Sequence, residues 1–186
     1  MNDYNDFIAA RLFERRTVMV AGSLDDQLAG DTATALMTLD AIGDDPVTLH
    51  LDCSLGPLDA AFVVMDTIDL MGVPVRATCV GRLEGPGVGV LAVAHHRAMT
   101  PHARVRMCEP TFDYGGSAAE LDRWARHHET QLQRFAARLA EATGQPAEHV
   151  EADFRVGRFL DARQAVAYGL VDEIATGAAP GRVELA

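Results

Sequence analysis

The stretch "VTLHLDCSLGPLDAAFVVMDTIDLMGVPVRATCVG", residues 47–81, contains one complete strand–helix–strand unit. "VTLHLDC" and "VPVRATCVG" are short apolar runs typical of strands, and 58–71 between them has a helical pattern. A helix of this length suits a right-handed crossover between two parallel strands. The stretch therefore predicts an α/β fold with a mainly parallel sheet covered by helices.

The same alternation continues on both sides of this unit. "TVMVAG" and a helix over 25–42 precede it. It is followed by a helix over about 87–98, the strand "ARVRMC", helices near 146–154 and 161–168, and the strand "GLVDEI". With no repeats and no linker, we expect a single domain over 1–176. The tail "GAAPGRVELA", 177–186, has nothing to anchor it and is expected to be flexible.

One predicted helix is much longer than the others. Ser117 is a good N-cap, Glu120 three residues later completes a capping box, and Gly144 ends the helix after Thr143. Its apolar residues form a stripe that consists of Leu121, Trp124, Leu132, Phe135 and Leu139. We expect the helix to project from the body and to place Trp124, Leu132 and Phe135 in a subunit interface.

The composition excludes several classes of protein. The 186 residues are 48% hydrophobic and 23% charged, as in globular proteins, and the formal net charge of −11 disfavours nucleic-acid binding. No apolar run approaches the roughly 20 residues that cross a membrane, and the start of the chain lacks the features of a signal peptide. We therefore expect a cytoplasmic protein.

The cysteines give no indication of a metal site or a disulfide framework. Cys53, Cys79 and Cys108 are an odd number at wide spacing, without a C-x-x-C pair. No other motif indicates a cofactor or a metal, and we expect neither.

Five anchors in order carry a resemblance to a known family. They are "LDDQLAG", "MDTIDLMGVPVRATCVG", "ARVRMCEP", "EATGQPAEHVE" and "RFLDARQAVAYGLVDEI", spread between about Tyr4 and Ile174. In these segments the chain resembles the proteolytic subunit of the Clp protease (ClpP), a family of the crotonase-like superfamily. The resemblance implies repeated βαβ units with a projecting handle helix, which is the long helix over about 117–143. It also implies serine peptidase chemistry and heptameric rings that stack through the handle.

The resemblance also places the family's catalytic triad, and all three residues are replaced here. In a stretch like G-x-A-A-S-M-G-A the nucleophile falls on Gly85 of "GRLEGPGV". In a stretch like R-V-M-I-H-Q-P the histidine falls on Cys108 of "RVRMCEP", and the aspartate before R-F-L falls on Gly157. None of the replacements can take over the same role, so we expect no serine peptidase activity.

The two backbone donors of the family's oxyanion hole fall on Gly56 and Pro86. Gly56 of "SLGP" retains an N–H group, whereas proline has none. Loss of one such donor costs about 2.7 to 4 kcal/mol of transition-state stabilisation. Pro86 instead suits the start of a helix, where its missing N–H costs little.

The leading hypothesis is a non-catalytic ClpP-like subunit with a structural or regulatory role in a ring assembly. Its partners would be copies of itself, an active ClpP paralogue, or both. The chain begins almost at the first helix, so most of the segment that forms the family's axial gate is expected to be missing. We therefore expect an ATP-dependent unfoldase to dock only through a partner.

The alternative hypothesis is an enzyme whose chemistry has been replaced and whose small substrate is unknown. It would use the thiol of Cys108, or His50 and Asp52, which share one face of a strand. A small side chain at a strand end and a hydrogen bond in a subunit interface are the plainer explanations, and we favour them. The adjacent pairs His95-His96 and His127-His128 point in different directions on a helix and do not suit one metal ion.

Overall fold

The computed structural model describes residues 2–110 and 115–176, with side chains from Phe7 onward. The described residues form a seven-stranded sheet whose main path runs in the order β1-β2-β3-β4-β7. β5 pairs with the second half of β3, and β6 pairs with β5. The strands are β1 (Thr17–Ser23), β2 (Val47–Ser54), β3 (Val75–Glu84), β4 (His96–Met99), β5 (Arg104–Met107), β6 (Arg158–Leu160) and β7 (Glu173–Ile174).

Helices connect most of the strands. They are α1 (Asn2–Glu14), α2 (Asp26–Ile42), α3 (Leu58–Leu70), α4 (Gly87–Ala92), α5 (Ala118–Thr143), α6 (Ala147–Val156) and α7 (Ala162–Tyr168). None of the described helices is both long enough and apolar enough to span a membrane.

The predicted α/β fold with a mainly parallel sheet is confirmed. β1, β2, β3 and β4 pair in parallel, with α2 and α3 as the first two crossovers. Alternate residues of β2 are fully buried, namely Val47, Leu49 and Leu51, and they join the inward stripe of α2 in one core. Burial of these side chains stabilises the unit by about 1.5 to 3 kcal/mol for each large aliphatic residue.

The prediction of one helix over 87–98 is wrong. α4 ends at Ala92, and β4 occupies part of the remaining stretch. His95 ends the turn between them, because its backbone N–H donates to Val75 O at 3.0 Å and its Nδ1 accepts from Val75 N at 3.2 Å. Periodicity alone does not distinguish helix from strand in a short apolar stretch. Here the stretch forms a strand because β3 has a free edge with which it pairs.

Two further details differ from the sequence prediction. β6 was not predicted, since a three-residue strand leaves no periodic signal; it is held by antiparallel pairing with β5. β7 is shorter than "GLVDEI" because the backbone N–H groups of Leu170 and Val171 donate to Ala165 O of α7, at 2.9 and 3.4 Å. The prediction of a flexible tail over 177–186 lies outside the described residues.

The long helix has the predicted limits. The Glu120 carboxylate accepts hydrogen bonds from the backbone N–H and the hydroxyl of Ser117, at 2.8 and 2.7 Å, and these bonds lower the pKa of Glu120. Gly144, at φ +71°, ends the helix. Nearly every residue of the first half of α5 is exposed, whereas the second half packs on the core. The helix, about 39 Å long from its 26 residues, therefore projects from the body.

Candidate active site

The junction between β3 and α4 has the form of a sharp strand-to-helix turn. β3 ends at Glu84, Gly85 has a left-handed backbone with φ +57°, and Pro86 follows with helical φ −61° and ψ −27°. Gly85 N donates to Arg106 O at 3.0 Å, which fixes the turn against β5. Pro86 thus occupies the helix start for which proline was predicted to be suited.

Cys108 lies directly beside this turn. A Cβ atom built on Gly85 would lie 3.2 Å from Cys108 O and 3.8 Å from Cys108 Sγ. The third close atom, at 3.0 Å, is Cδ2 of Leu55. The structure therefore brings two of the predicted triad positions, 85 and 108, into contact, although 23 residues separate them in the chain.

The Gly56 loop approaches the same turn. Gly56 lies between β2 and α3, next to Leu55, whose side chain contacts the space beside Gly85. A Cβ atom on Gly56 would lie only 2.0 Å from Leu24 O. Only glycine allows this close backbone contact, so the loop conformation requires Gly56 whether or not its N–H group serves as an oxyanion donor.

Gly157 faces a guanidinium group. Gly157 ends α6 with φ +70°, and a Cβ atom built on it would lie 3.8 Å from both Nε and Nη2 of Arg106. These two nitrogens form the edge of an arginine side chain that binds a carboxylate with two hydrogen bonds. The guanidinium also lies over the ring of Phe159, 5.4 Å from its centroid.

Arg106 was missed by the sequence analysis. Its Nε is buried and has no hydrogen-bond partner among the described residues. The available signal was the comparison of "RVRMC" with the family's R-V-M-I-H, in which arginine stands where the family has methionine. Arg106 thus places a positive charge close to the predicted histidine and aspartate positions.

Cys108 itself is poorly suited to nucleophilic chemistry. Its side chain is buried, and its Sγ lies 3.7 Å from Arg106 O. Burial raises the pKa of the Cys108 thiol above its usual value, in spite of the nearby guanidinium of Arg106. Because the thiolate is the nucleophilic form, this environment keeps the cysteine in its less reactive state.

His50 and Asp52 share one face of β2, as predicted, but they do not interact with each other and have different contacts. Asp52 Oδ1 accepts a hydrogen bond from Arg82 N at 2.9 Å, at the irregular step in the β2–β3 pairing. His50 Nδ1 is buried without a hydrogen-bond partner among the described residues, and burial lowers the pKa of this imidazole. Asp52 therefore stabilises a bulge and does not orient His50.

His95, His96 and His127 each have different neighbours. His95 accepts a bond from the backbone of Val75, His96 Nε2 lies 3.1 Å from Glu173 Oε1, and His127 packs edge-on against Trp124. Within 2–110 and 115–176, no group of three or more histidine, cysteine or acidic side chains could hold a metal ion.

The three predicted interface residues of α5 differ in exposure. Trp124 is 40% exposed, and Leu132 is half-buried and packs against the core. Phe135 is 1% exposed and contacts the rings of Phe62 and Phe154 edge-on. The prediction of an interface role is therefore wrong for Phe135, which fills the core of its own subunit because it lies on the packed half of the helix.

Comparison with known families agrees with this architecture. The sequence model of the Clp protease family matches residues 2–178, which is almost the whole chain. The match covers the β3–α4 turn, Cys108, the long helix and Gly157 together. The chain therefore belongs to the Clp protease family.

Proposed function

We propose that this chain is a non-catalytic member of the Clp protease family, with a structural or regulatory role in a ring assembly. The observation that carries the proposal is the site around Gly85. The sharp turn where the resemblance places a nucleophile carries glycine, and the next residue, Pro86, cannot donate a hydrogen bond. Its neighbours are a buried thiol and a guanidinium in place of a base and an acid.

A positive charge beside the site supports the same proposal. A Ser-His-Asp triad depends on a carboxylate that stabilises the imidazolium formed during catalysis. Arg106 lies beside Gly157, where the resemblance places that carboxylate, and its positive charge would destabilise an imidazolium instead. Five features therefore oppose peptidase chemistry: the absent nucleophile, the absent base, the absent acid, the missing N–H of Pro86 and the added cation.

The purified chain is expected to hydrolyse neither short fluorogenic peptides nor unfolded protein. Fluorophosphonates and β-lactones, which label activated serines, should leave it unmodified, because position 85 carries no hydroxyl. Mass spectrometry after labelling measures this outcome, with an active serine peptidase as the positive control. Labelling of one residue, together with an activity lost when that residue is changed, would contradict the proposal.

A thiol enzyme is the second candidate, and one observation separates it from the first. Cys108 lies next to the Gly85 turn, so a substrate there would meet its sulfur. If Cys108 were a nucleophile, iodoacetamide would modify it at neutral pH faster than it modifies an ordinary exposed cysteine. Its burial and raised pKa predict slower modification.

The projecting half of α5 is the surface we assign to assembly. Trp124 and Leu121, both about two-fifths exposed, lie on one side of a segment with little other packing. In ring assemblies of this family such a helix pairs with another subunit, so the partner would cover these side chains. The partner is a second copy, an active paralogue or both, and an unfoldase would reach the assembly through such a partner.

Changing Trp124→Glu and Leu121→Glu together is expected to shift the assembly to a smaller species, measured as mass by sedimentation velocity. The reason is that two charges would enter the surface that the partner covers. Ala119→Glu with Gln133→Glu is the matched control, because both residues are exposed on a different side of the same helix. An equal loss of mass in both variants, or none in either, would refute the assignment of this surface.

A further inference from the structure

Three arginines lie side by side on one face of β3 and β5. Arg82 and Arg104 are register partners in these parallel strands, so their side chains leave the sheet on the same face, with the backbones about 5 Å apart. Arg106 follows two residues after Arg104 on β5 and shares this face. The opposite face carries the fully buried side chains of Leu83 and Val105. We name Arg82, Arg104 and Arg106 the arginine patch.

The positive charge of the arginine patch is not neutralised by nearby acids. Among the residues whose side chains are described, no carboxylate lies within 4.0 Å of any of the three guanidinium groups. Like charges directly opposite each other on neighbouring strands are destabilising. An anion bound between the arginines would remove this repulsion.

Arg106 has a donor edge without an acceptor. Its Nε is buried and has no hydrogen-bond partner among the described residues. Nε and Nη2 both lie 3.8 Å from the position of a Cβ atom built on Gly157, and glycine has no side chain that could accept a bond there. The ring of Phe159, whose centroid lies 5.4 Å from the guanidinium carbon, holds the group in place. An oxyanion next to this guanidinium would supply an acceptor that the described residues lack.

One acidic residue belongs to the same surface and sets its net charge. Glu84 is the register partner of Arg106 and lies on the face of the arginine patch. Three positive charges and this one negative charge leave a local net charge of +2. A phosphoryl group carries about −1.5 to −2 at pH 7, whereas a carboxylate carries only about −1. The surface therefore matches a doubly charged oxyanion.

We propose that the arginine patch binds the phosphoryl group of a small molecule, either the free phosphate ion or a phosphate ester. Arginine suits this role because its planar N–H edges bind phosphate oxygens in pairs. Side chains from two strands would approach the group from different sides. The net charge of −11 repels anions from the chain as a whole, so the attraction must be local.

The arginine patch borders the candidate active site. Burial is the main cause of the raised pKa of Cys108, and the charges of Arg106 and Glu84 also act on this thiol, the first lowering its pKa and the second raising it. A phosphoryl group would thus lie next to the positions of the replaced triad. Binding there requires neither peptidase chemistry nor assembly, so its failure would leave the proposed function untouched.

Isothermal titration calorimetry of the full chain tests the proposal, with inorganic phosphate and phenyl phosphate as probes at about 0.05 M ionic strength. We expect saturable binding of one phosphoryl group per chain, and binding of acetate that is weaker on the order of 10-fold because acetate has a single charge. Tighter binding of phenyl phosphate assigns the site to an ester, and tighter binding of inorganic phosphate assigns it to the free ion. Absence of saturable binding with both probes overturns the proposal.

Single substitutions locate the site. Arg82→Gln, Arg104→Gln and Arg106→Gln should each weaken phosphate binding on the order of 10-fold or more, because each removes a charge-assisted hydrogen bond. Glu84→Gln should strengthen it, since the change removes the negative charge of the surface. Arg76→Gln is the matched control, because Arg76 is exposed on the same face of β3 but lies roughly 20 Å from Arg82 along the strand.

The variant Glu84→Gln keeps the test decisive if an arginine variant is unstable, because misfolding cannot produce a gain in affinity. Unchanged affinity in all three arginine variants would overturn the proposal. An equal loss in the control Arg76→Gln would also overturn it, since phosphate would then bind through the general charge of the surface.

Discussion

Replacing Pro86 by methionine should raise the rate of peptide hydrolysis by about 10² to 10³ in a chain that already carries Gly85→Ser, Cys108→His and Gly157→Asp. The three changes put serine, histidine and aspartate at the positions where the resemblance places the triad, and they leave the proposed oxyanion hole with one donor. The change at Pro86 supplies the missing N–H at the start of α4. Four changes should therefore exceed three by a wide margin.

The turn at Gly85 sets the conditions for this experiment. Gly85 already has the left-handed conformation of a sharp turn, and the Gly56 loop already lies next to it through Leu55. A serine at position 85 would be strained, because residues with side chains rarely adopt a φ of +57°. Its Cβ would also lie 3.0 Å from Leu55 Cδ2 and 3.2 Å from the backbone Cys108 O. Both variants carry this strain equally, so it does not affect the comparison between them.

The measurement is the turnover of a short fluorogenic peptide by both variants after their mass in solution is shown to be equal. The control is a substitution in α4 of the three-change variant that supplies no N–H at position 86. Val93→Met, at the other end of α4, serves this purpose. Gly87→Ala does not, because a Cβ atom there would lie 3.0 Å from Leu83 Cδ1. A competent peptidase with only three changes would mean that proline in this position is no barrier.

Replacing Arg106 by methionine in the four-change variant should raise hydrolysis again, by as much as about 10⁴, which is the loss that follows when a triad acid no longer orients its histidine. An aspartate at position 157 would extend toward Nε and Nη2 of Arg106, since the Cβ position is 3.8 Å from both. The carboxylate would then bind the guanidinium with two hydrogen bonds and would not orient the histidine at position 108.

Arg104→Met is the matched control for this experiment. Arg104 lies on the same strand and the same face as Arg106, but it is exposed and is not among the atoms that face Gly157. Its replacement removes the same charge and should leave the rate nearly unchanged. Equal rates with and without Arg106 would show that the carboxylate reaches the histidine in spite of the guanidinium.

Local patterns in the sequence were sufficient to predict most of the strands and helices. The alternation in 47–81 predicted β2, α3 and β3, and the residues Ser117 and Gly144 predicted both ends of α5. These features depend on side chains close in sequence, such as the carboxylate of Glu120 beside its own helix start. α4 was predicted too long because the alternative, pairing of β4 with β3, depends on a strand 20 residues away.

The apolar stripe of α5 shows the same limit of local sequence patterns. Periodicity placed Trp124 and Phe135 on one side of α5 but did not distinguish the projecting half from the packed half. Phe135 is buried because Phe62 and Phe154, from α3 and α6, surround it, and those contacts join distant parts of the chain.

The sequence by itself determined which groups are absent from the candidate active site. Gly85 has no hydroxyl, Gly157 has no carboxylate and Pro86 has no N–H, and these are properties of the residues that no fold can change. The tertiary structure decided which side chains lie around these positions. Antiparallel pairing of β5 with β6 places Arg106 opposite Phe159 and beside Gly157, across about 50 residues of chain. The positive charge therefore reaches the site through strand pairing, which local sequence patterns do not encode.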